Sequence, residues 1–332
     1  MSTQPRRTGG IDPLATTAIV GTLLCWSSTP IWIKHFTGYF DPFSQNVYRY
    51  AFALLFWLPF LIVRQATGRV PRSIWLLALA PAIPNTAMQT FWAWSLYHLD
   101  PGVMALLARM GVIWSTLLSM AVFADERLLA RSKRFWCGLG CGLAGAVGVL
   151  AFKPGFVAGL SRLDVDIRAT VIGAGMVTTA TALWSVYAVM VRLRMRGVDS
   201  RTAFAVIALE TTVGLSVIAI VFGDPARVVD VPLNVMVLVA LSGWICIALA
   251  HVCYYTAIRR VGVAVPTAVL QLTPFAVLTL SYFIFDERFA PAQLASGAVL
   301  VIGSGLALWA QDKVRRGAAK PCDDGGPGDE QP

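Results

Sequence analysis

The 332-residue chain is 57% hydrophobic and 14% charged, with a mean hydropathy of +0.66, against roughly 25% charge in soluble domains. That composition excludes a soluble globular protein, because the chain has too little polar surface to cover itself. A net charge of +9 does not mark a nucleic-acid partner, since the basic residues cluster between apolar runs, where they set orientation in a bilayer.

The polar start, Met1 to Pro13, lacks a basic leader followed directly by an apolar stretch, so no cleaved signal peptide is expected. Ten apolar runs follow, each close to the ~20 residues that cross a hydrocarbon core as helix. Span one, Leu14 to Phe36, places Thr22, Trp26 and Thr29 on one face and contains Pro30, a hinge candidate. Span two, Phe43 to Val63, holds Arg49, expected to serve structure rather than substrate. Span three, Ser73 to Tyr97, carries Asn85, Gln89 and Trp92 at helical spacing, either lining a cavity or gluing helices together. Span four, Gly102 to Phe123, contains Arg109. A charge at that depth costs about 2.5 to 3.5 kcal/mol on insertion scales, so Arg109 either receives an anionic substrate group or makes a structural pair.

Span five, Phe135 to Phe152, has Gly138, Gly142 and Gly145 on one face, fit for close helix approach within the chain or for a homodimer. In span six, Ala169 to Val191, Thr181, Trp184 and Tyr187 share a face. Span seven, Thr202 to Phe222, holds Glu210, which could couple protons or neutralise an arginine. Span eight, Val231 to Tyr255, ends with His251, Tyr254 and Tyr255, read as an aromatic belt rather than a proton relay. Span nine, Ala264 to Phe285, puts Thr267, Gln271 and Pro274 on one stripe. Pro274 has no N–H, which frees the Leu270 carbonyl for another partner. Span ten is Ala292 to Ala310, and the tail from 311 to 332 is expected to be disordered.

With Lys34 at the end of span one counted with the loop that follows it, lysine and arginine divide 19 to 6 between alternate loops. The excess marks the cytoplasmic side and predicts that both termini lie there, in the cytoplasmic membrane. The six cysteines form neither a disulfide framework nor a metal site, and Cys137 and Cys141 read as small packing residues. No metal or cofactor is expected.

The chain also repeats itself. Trp26 and Ser27 recur as Trp184 and Ser185, Lys34 as Arg192, and Asp41 as Asp199, all at an offset of 158. Phe123, Asp125, Glu126 and Arg127 recur as Phe285, Asp286, Glu287 and Arg288. These acidic ends read as helix starts and interfacial anchors, with gating salt bridges as the alternative. Five spans per copy is an odd number, so the second copy enters the membrane inverted. The predicted fold is an all-α polytopic membrane protein with ten transmembrane helices in two inverted five-helix repeats. The units are a terminal segment at 1–13, repeats at 14–152 and 169–310, and a connecting loop at 153–168.

Residues Tyr254 to Pro266, Leu270 to Pro274 and Phe285 to Arg288, with the glycine-rich run Gly297 to Leu308, resemble the C-terminal half of EamA-type carriers of the drug/metabolite transporter superfamily. The first half resembles it through Trp26, Ser27, Arg49, Asp125, Glu126 and Arg127, with Ile113 standing where the second half has Pro274. The resemblance implies a ten-helix carrier of small metabolites with a central cavity. The residues add an expectation of alternating access for a small amphipathic cargo, amino-acid-like or anionic, held by Arg109, Gln271 and the two tryptophan faces. The partners are then that substrate and the lipid bilayer. An integral-membrane enzyme would need clustered catalytic groups, and a scaffold would not need an inverted repeat.

Overall fold

A computed structural model describes residues 12–154, 156, 165–261 and 264–318. Residues 1–11, most of the connecting loop and the end of the tail with Cys322 lie outside the described residues, as do the side chains of Asp125, Glu126, Arg259 and Thr267.

All ten predicted spans are helical, and eight, the interrupted spans four and eight among them, are long and apolar enough to cross a membrane. Span one is Pro13–Phe36, span two Pro42–Ala66, span three Arg72–Ser95, span five Lys133–Ala151, span six Val165–Arg194, span seven Ser200–Phe222 and span ten Pro291–Ala318. Span three is less apolar because one side of it carries Asn85, Thr86, Gln89 and Thr90. The helix of span ten runs on to Ala318, so the tail expected to be disordered from residue 311 begins as helix.

The starts obey local chemistry. Asp12 and Asp41 each accept two backbone N–H groups of the first turn and are followed by proline, whose missing N–H costs nothing there. Asp199, the repeat partner of Asp41, accepts from Thr202 N at 3.3 Å. Both copies therefore open their second helix with the same cap.

Three spans are interrupted. Span four is Pro101–Leu107 and Met110–Val122, and span nine is Ala264–Leu270 and Thr273–Phe285. In each, seven helical residues, two turn residues and thirteen helical residues follow one another. Two bonds of the turns match: Arg109 N donates to Leu106 O and Val112 N to Arg109 O, while Leu272 N donates to Val269 O and Phe275 N to Leu272 O. This register sets Gly111, and not Ile113, opposite Pro274. Glycine weakens a helix by its freedom where proline does so by its missing N–H. Span eight is Leu233–Gly243 and Ala250–Val261 joined by a π-helical turn, Trp244–Leu249. The turn begins where Gly243 passes so close to the Arg49 carbonyl that a Cβ would collide with it.

The packing has the pattern of a two-fold axis relating the halves. Span one lies against spans eight and nine, and its counterpart, span six, lies against spans three and four. Span two meets span eight as span seven meets span three, and the pairs two with seven, four with nine and five with ten close across the axis. Spans five and ten touch backbone to backbone through the glycine face. A Cβ on Gly145 would sit 2.5 Å from Leu300 N, and one on Gly138 would sit 2.7 Å from Gly303 O. The glycines expected to serve either internal packing or a dimer are thus occupied inside the chain.

Gly145→Val should lower the thermal midpoint in detergent, because overpacking of this kind costs about 1 to 3 kcal/mol. Gly140→Val, with nothing within 4 Å of its Cβ position, should leave it unchanged. Equal midpoints for the two variants would contradict the five-to-ten contact.

Candidate functional site

The breaks in spans four and nine lie side by side. Arg109, in the first break, donates from Nη1 to the Leu270 carbonyl at 3.2 Å. That carbonyl is the group that Pro274 leaves without its helical donor, and it also accepts Thr273 Oγ1 at 2.7 Å. Two buried polar atoms at the same junction have no hydrogen-bond partner among the described residues: Nε of Arg109 and Oε1 of Gln271. Polar atoms so placed are rare in folded proteins and call for an explanation. The backbone of the first break is tied to span ten, where Ser304 Oγ donates to Arg109 O at 3.5 Å. Ser115 and Ser185, 2.8 Å apart, join the second part of span four to span six.

A ring cluster forms between spans one, seven and eight. Trp26 packs on Tyr254 at 5.0 Å between centroids and on His251 at 5.7 Å. His251 stacks on Phe204 at 4.1 Å. A carbonyl can only accept, so His251 carries its proton on Nδ1, 2.6 Å from Ile247 O. Tyr255 completes the group against Phe204 and His251. The histidine and tyrosines expected to form a belt therefore join three spans together. Trp184 pairs with Tyr187 of its own span at 5.2 Å and is 40% exposed; the two repeat-related tryptophans do not have equivalent surroundings.

The other singled-out residues divide between glue and unpaired groups. Thr22 is buried and donates to Ala18 O of its own helix. Asn85 donates to Thr211 Oγ1 at 2.9 Å, tying span three to span seven. Tyr50 is buried in the apolar cluster that joins spans two, three and seven. Arg49 is buried at the two-to-eight contact and donates from Nε to Ser242 Oγ at 3.1 Å, while its Nη2 has no hydrogen-bond partner among the described residues. Pro30 is buried within an unbroken helix. Glu210 is half-buried, and among the described residues its Oε2 has no partner and it makes no ion pair with an arginine.

At the end opposite the termini, one side chain that sequence reasoning assigned to anchoring holds the halves together. Glu287, beyond span nine, accepts Gly102 N at 2.9 Å and Val103 N at 3.3 Å at the start of span four, and accepts Ser281 Oγ. A side chain at Gly102 would collide with Phe289 and Glu287. Asp100 receives Lys34 at 3.6 Å and Lys153 at 3.8 Å. Two cavities of about 190 and 320 Å³ share Asp100 and Lys153 in their walls. The fold brings Arg109 and Gln271 to one junction and Trp26 to the ring cluster. Tyr50, Phe204 and Glu287 enter the picture only through contacts distant in sequence.

Ten membrane-crossing segments in two inverted repeats, with interrupted helices meeting inside, define a multi-pass membrane transporter. The EamA-like transporter family matches residues 14–151 and 171–309, and the chain belongs to that family. One solved structure, titled only as the crystal structure of a protein, is similar over 90% of this chain and 98% of its own. It is 20% identical with a TM-score of 0.60, which supports the fold alone. Comparison with curated proteins gives no match.

Glu287 carries a pH signature. Burial pushes its carboxyl above the usual glutamate range, against the pull of Ser281 and the Gly102 and Val103 amides, and Asp100 adds to the rise. The folded protein then holds this proton more tightly than the unfolded chain, so the stability contribution is present at acid pH and lost as pH rises through the raised pKa. Glu287→Gln should flatten that part of the stability-against-pH curve. An unchanged slope would show that Glu287 does not titrate there.

Proposed function

We propose that this chain is a secondary transporter moving a small amphipathic metabolite, amino-acid-like or anionic, across the cytoplasmic membrane by alternating access. The observation that carries the reading is the paired interruption of spans four and nine at the same position in each repeat, joined by the bond from Arg109 to Leu270 O. Discontinuous helices at corresponding places in inverted repeats put unsatisfied backbone and polar side chains at mid-depth, where a cargo can meet them. Inverted copies also let one packing scheme exist in two forms of similar energy, facing opposite sides.

Glu210 is the coupling group in this proposal. A half-buried carboxylate with an unpartnered oxygen in an apolar span is held there at a cost that a proton removes. The charge asymmetry of the loops supports termini on the cytoplasmic side.

Purified protein in liposomes should show saturable uptake of small amphipathic acids, with accumulation above equilibrium when a proton gradient is imposed. Glu210→Gln should abolish the accumulation and retain exchange of labelled for unlabelled cargo. Absence of saturable flux for every amphipathic acid and amine tried would overturn the carrier reading; gradient-driven accumulation by Glu210→Gln would overturn the coupling role alone.

A further inference from the structure

Resting on the carrier reading, we infer that Arg109 is the receptor for a substrate carboxylate, and that the incoming carboxylate takes the guanidinium from the Leu270 carbonyl that now holds it. Guanidinium carries five N–H donors. Its bond at the junction is to one neutral carbonyl, and among the described residues its Nε has no acceptor and no carboxylate lies within ion-pair distance. A permanent charge buried in a span and met by a single neutral acceptor is incompletely compensated. A carboxylate has the two-oxygen geometry that fits a guanidinium edge.

The bond to Leu270 O has the properties of a parking position. Pro274 cannot donate to that carbonyl, so it is open to Arg109. Thr273 Oγ1 also donates to it at 2.7 Å, so Leu270 O remains hydrogen-bonded after Arg109 leaves. Moving the guanidinium to a ligand therefore strands no backbone acceptor in the hydrocarbon layer. Gln271, the next residue, offers Oε1 without a partner, a place for an N–H or O–H donor next to the carboxylate. Because Arg109 belongs to the first repeat and Leu270 to the second, capture of the anion also breaks a bond between repeats. Occupancy thereby alters the balance between the two conformations.

Three probes with one ring and different heads separate the possibilities: 3-phenylpropanoate, 3-phenylpropan-1-ol and 3-phenylpropylamine. Binding to the full chain in detergent is measured together with flux in liposomes. The wild type should bind the carboxylate at least about tenfold more tightly than the alcohol or the amine. Arg109→Gln should lose that preference, and Arg109→Lys should keep part of it. Pro274→Ala restores an N–H that competes for Leu270 O, so it should retain or tighten carboxylate binding while slowing flux. That divergence is not produced by a purely structural arginine. Equal binding of the three heads by the wild type, no binding of the carboxylate, or an undiminished preference in Arg109→Gln each overturns the inference. If Arg109→Gln does not fold, Arg109→Lys and Pro274→Ala decide: full retention of preference by the first with loss of binding in the second overturns it. Saturable flux of the alcohol or amine without that of the carboxylate leaves the carrier reading standing and removes this one.

Discussion

In hydrocarbon, a carbonyl released from its helix must find a donor within the protein, and the Leu270 carbonyl is such a group. Pro274 cannot supply the helical N–H, and the gap is filled by Thr273 from its own span and by Arg109 from the other repeat. One missing donor thus draws a cation into the interior and joins the interrupted helices. The rest of the bundle is arranged so that these two breaks meet.

Close approach of the outer spans supports that arrangement. Spans five and ten pack at glycines along their shared face, with Gly138 against Gly303 and Gly145 against Leu300, and Ser304 of span ten reaches the Arg109 backbone. Where spans two and eight meet, Gly243 lies against the Arg49 carbonyl and the π-helical turn follows at once. Small residues allow these contacts because apolar side chains have no hydrophobic reason to prefer one another over lipid, and packing has to supply the attraction.

The symmetry is complete in its outline and incomplete in its chemistry. Asp41 and Asp199 are matched caps, and Lys34 and Arg192 are matched cations with different partners: Lys34 pairs with Asp100, and Arg192 lies over the Phe123 ring at 3.8 Å. Trp26 contacts another span while Trp184 contacts its own. An inverted pair needs equivalent backbones to interchange conformations, but its side chains are free to differ, because the two ends of a carrier face different solutions.

Ten helices and their inverted repetition were legible in the sequence, since they depend on composition, length and the recurrence of a few residues at one offset. So was the freed carbonyl at Leu270, which follows from proline chemistry alone. The donor that met it was not, nor was the break at Ala108 and Arg109, where glycine replaces proline and the local signal is weak. Sequence left Arg49, Glu210 and the glycines of span five each with two roles, and anchoring was preferred for Glu287. Tertiary structure gave Arg49 to Ser242, left Glu210 without an arginine among the described residues, closed the glycines against span ten and set Glu287 on the start of span four. Periodicity fixes which way a side chain points on its own helix, whereas the choice of partner depends on the packing of spans more than a hundred residues apart.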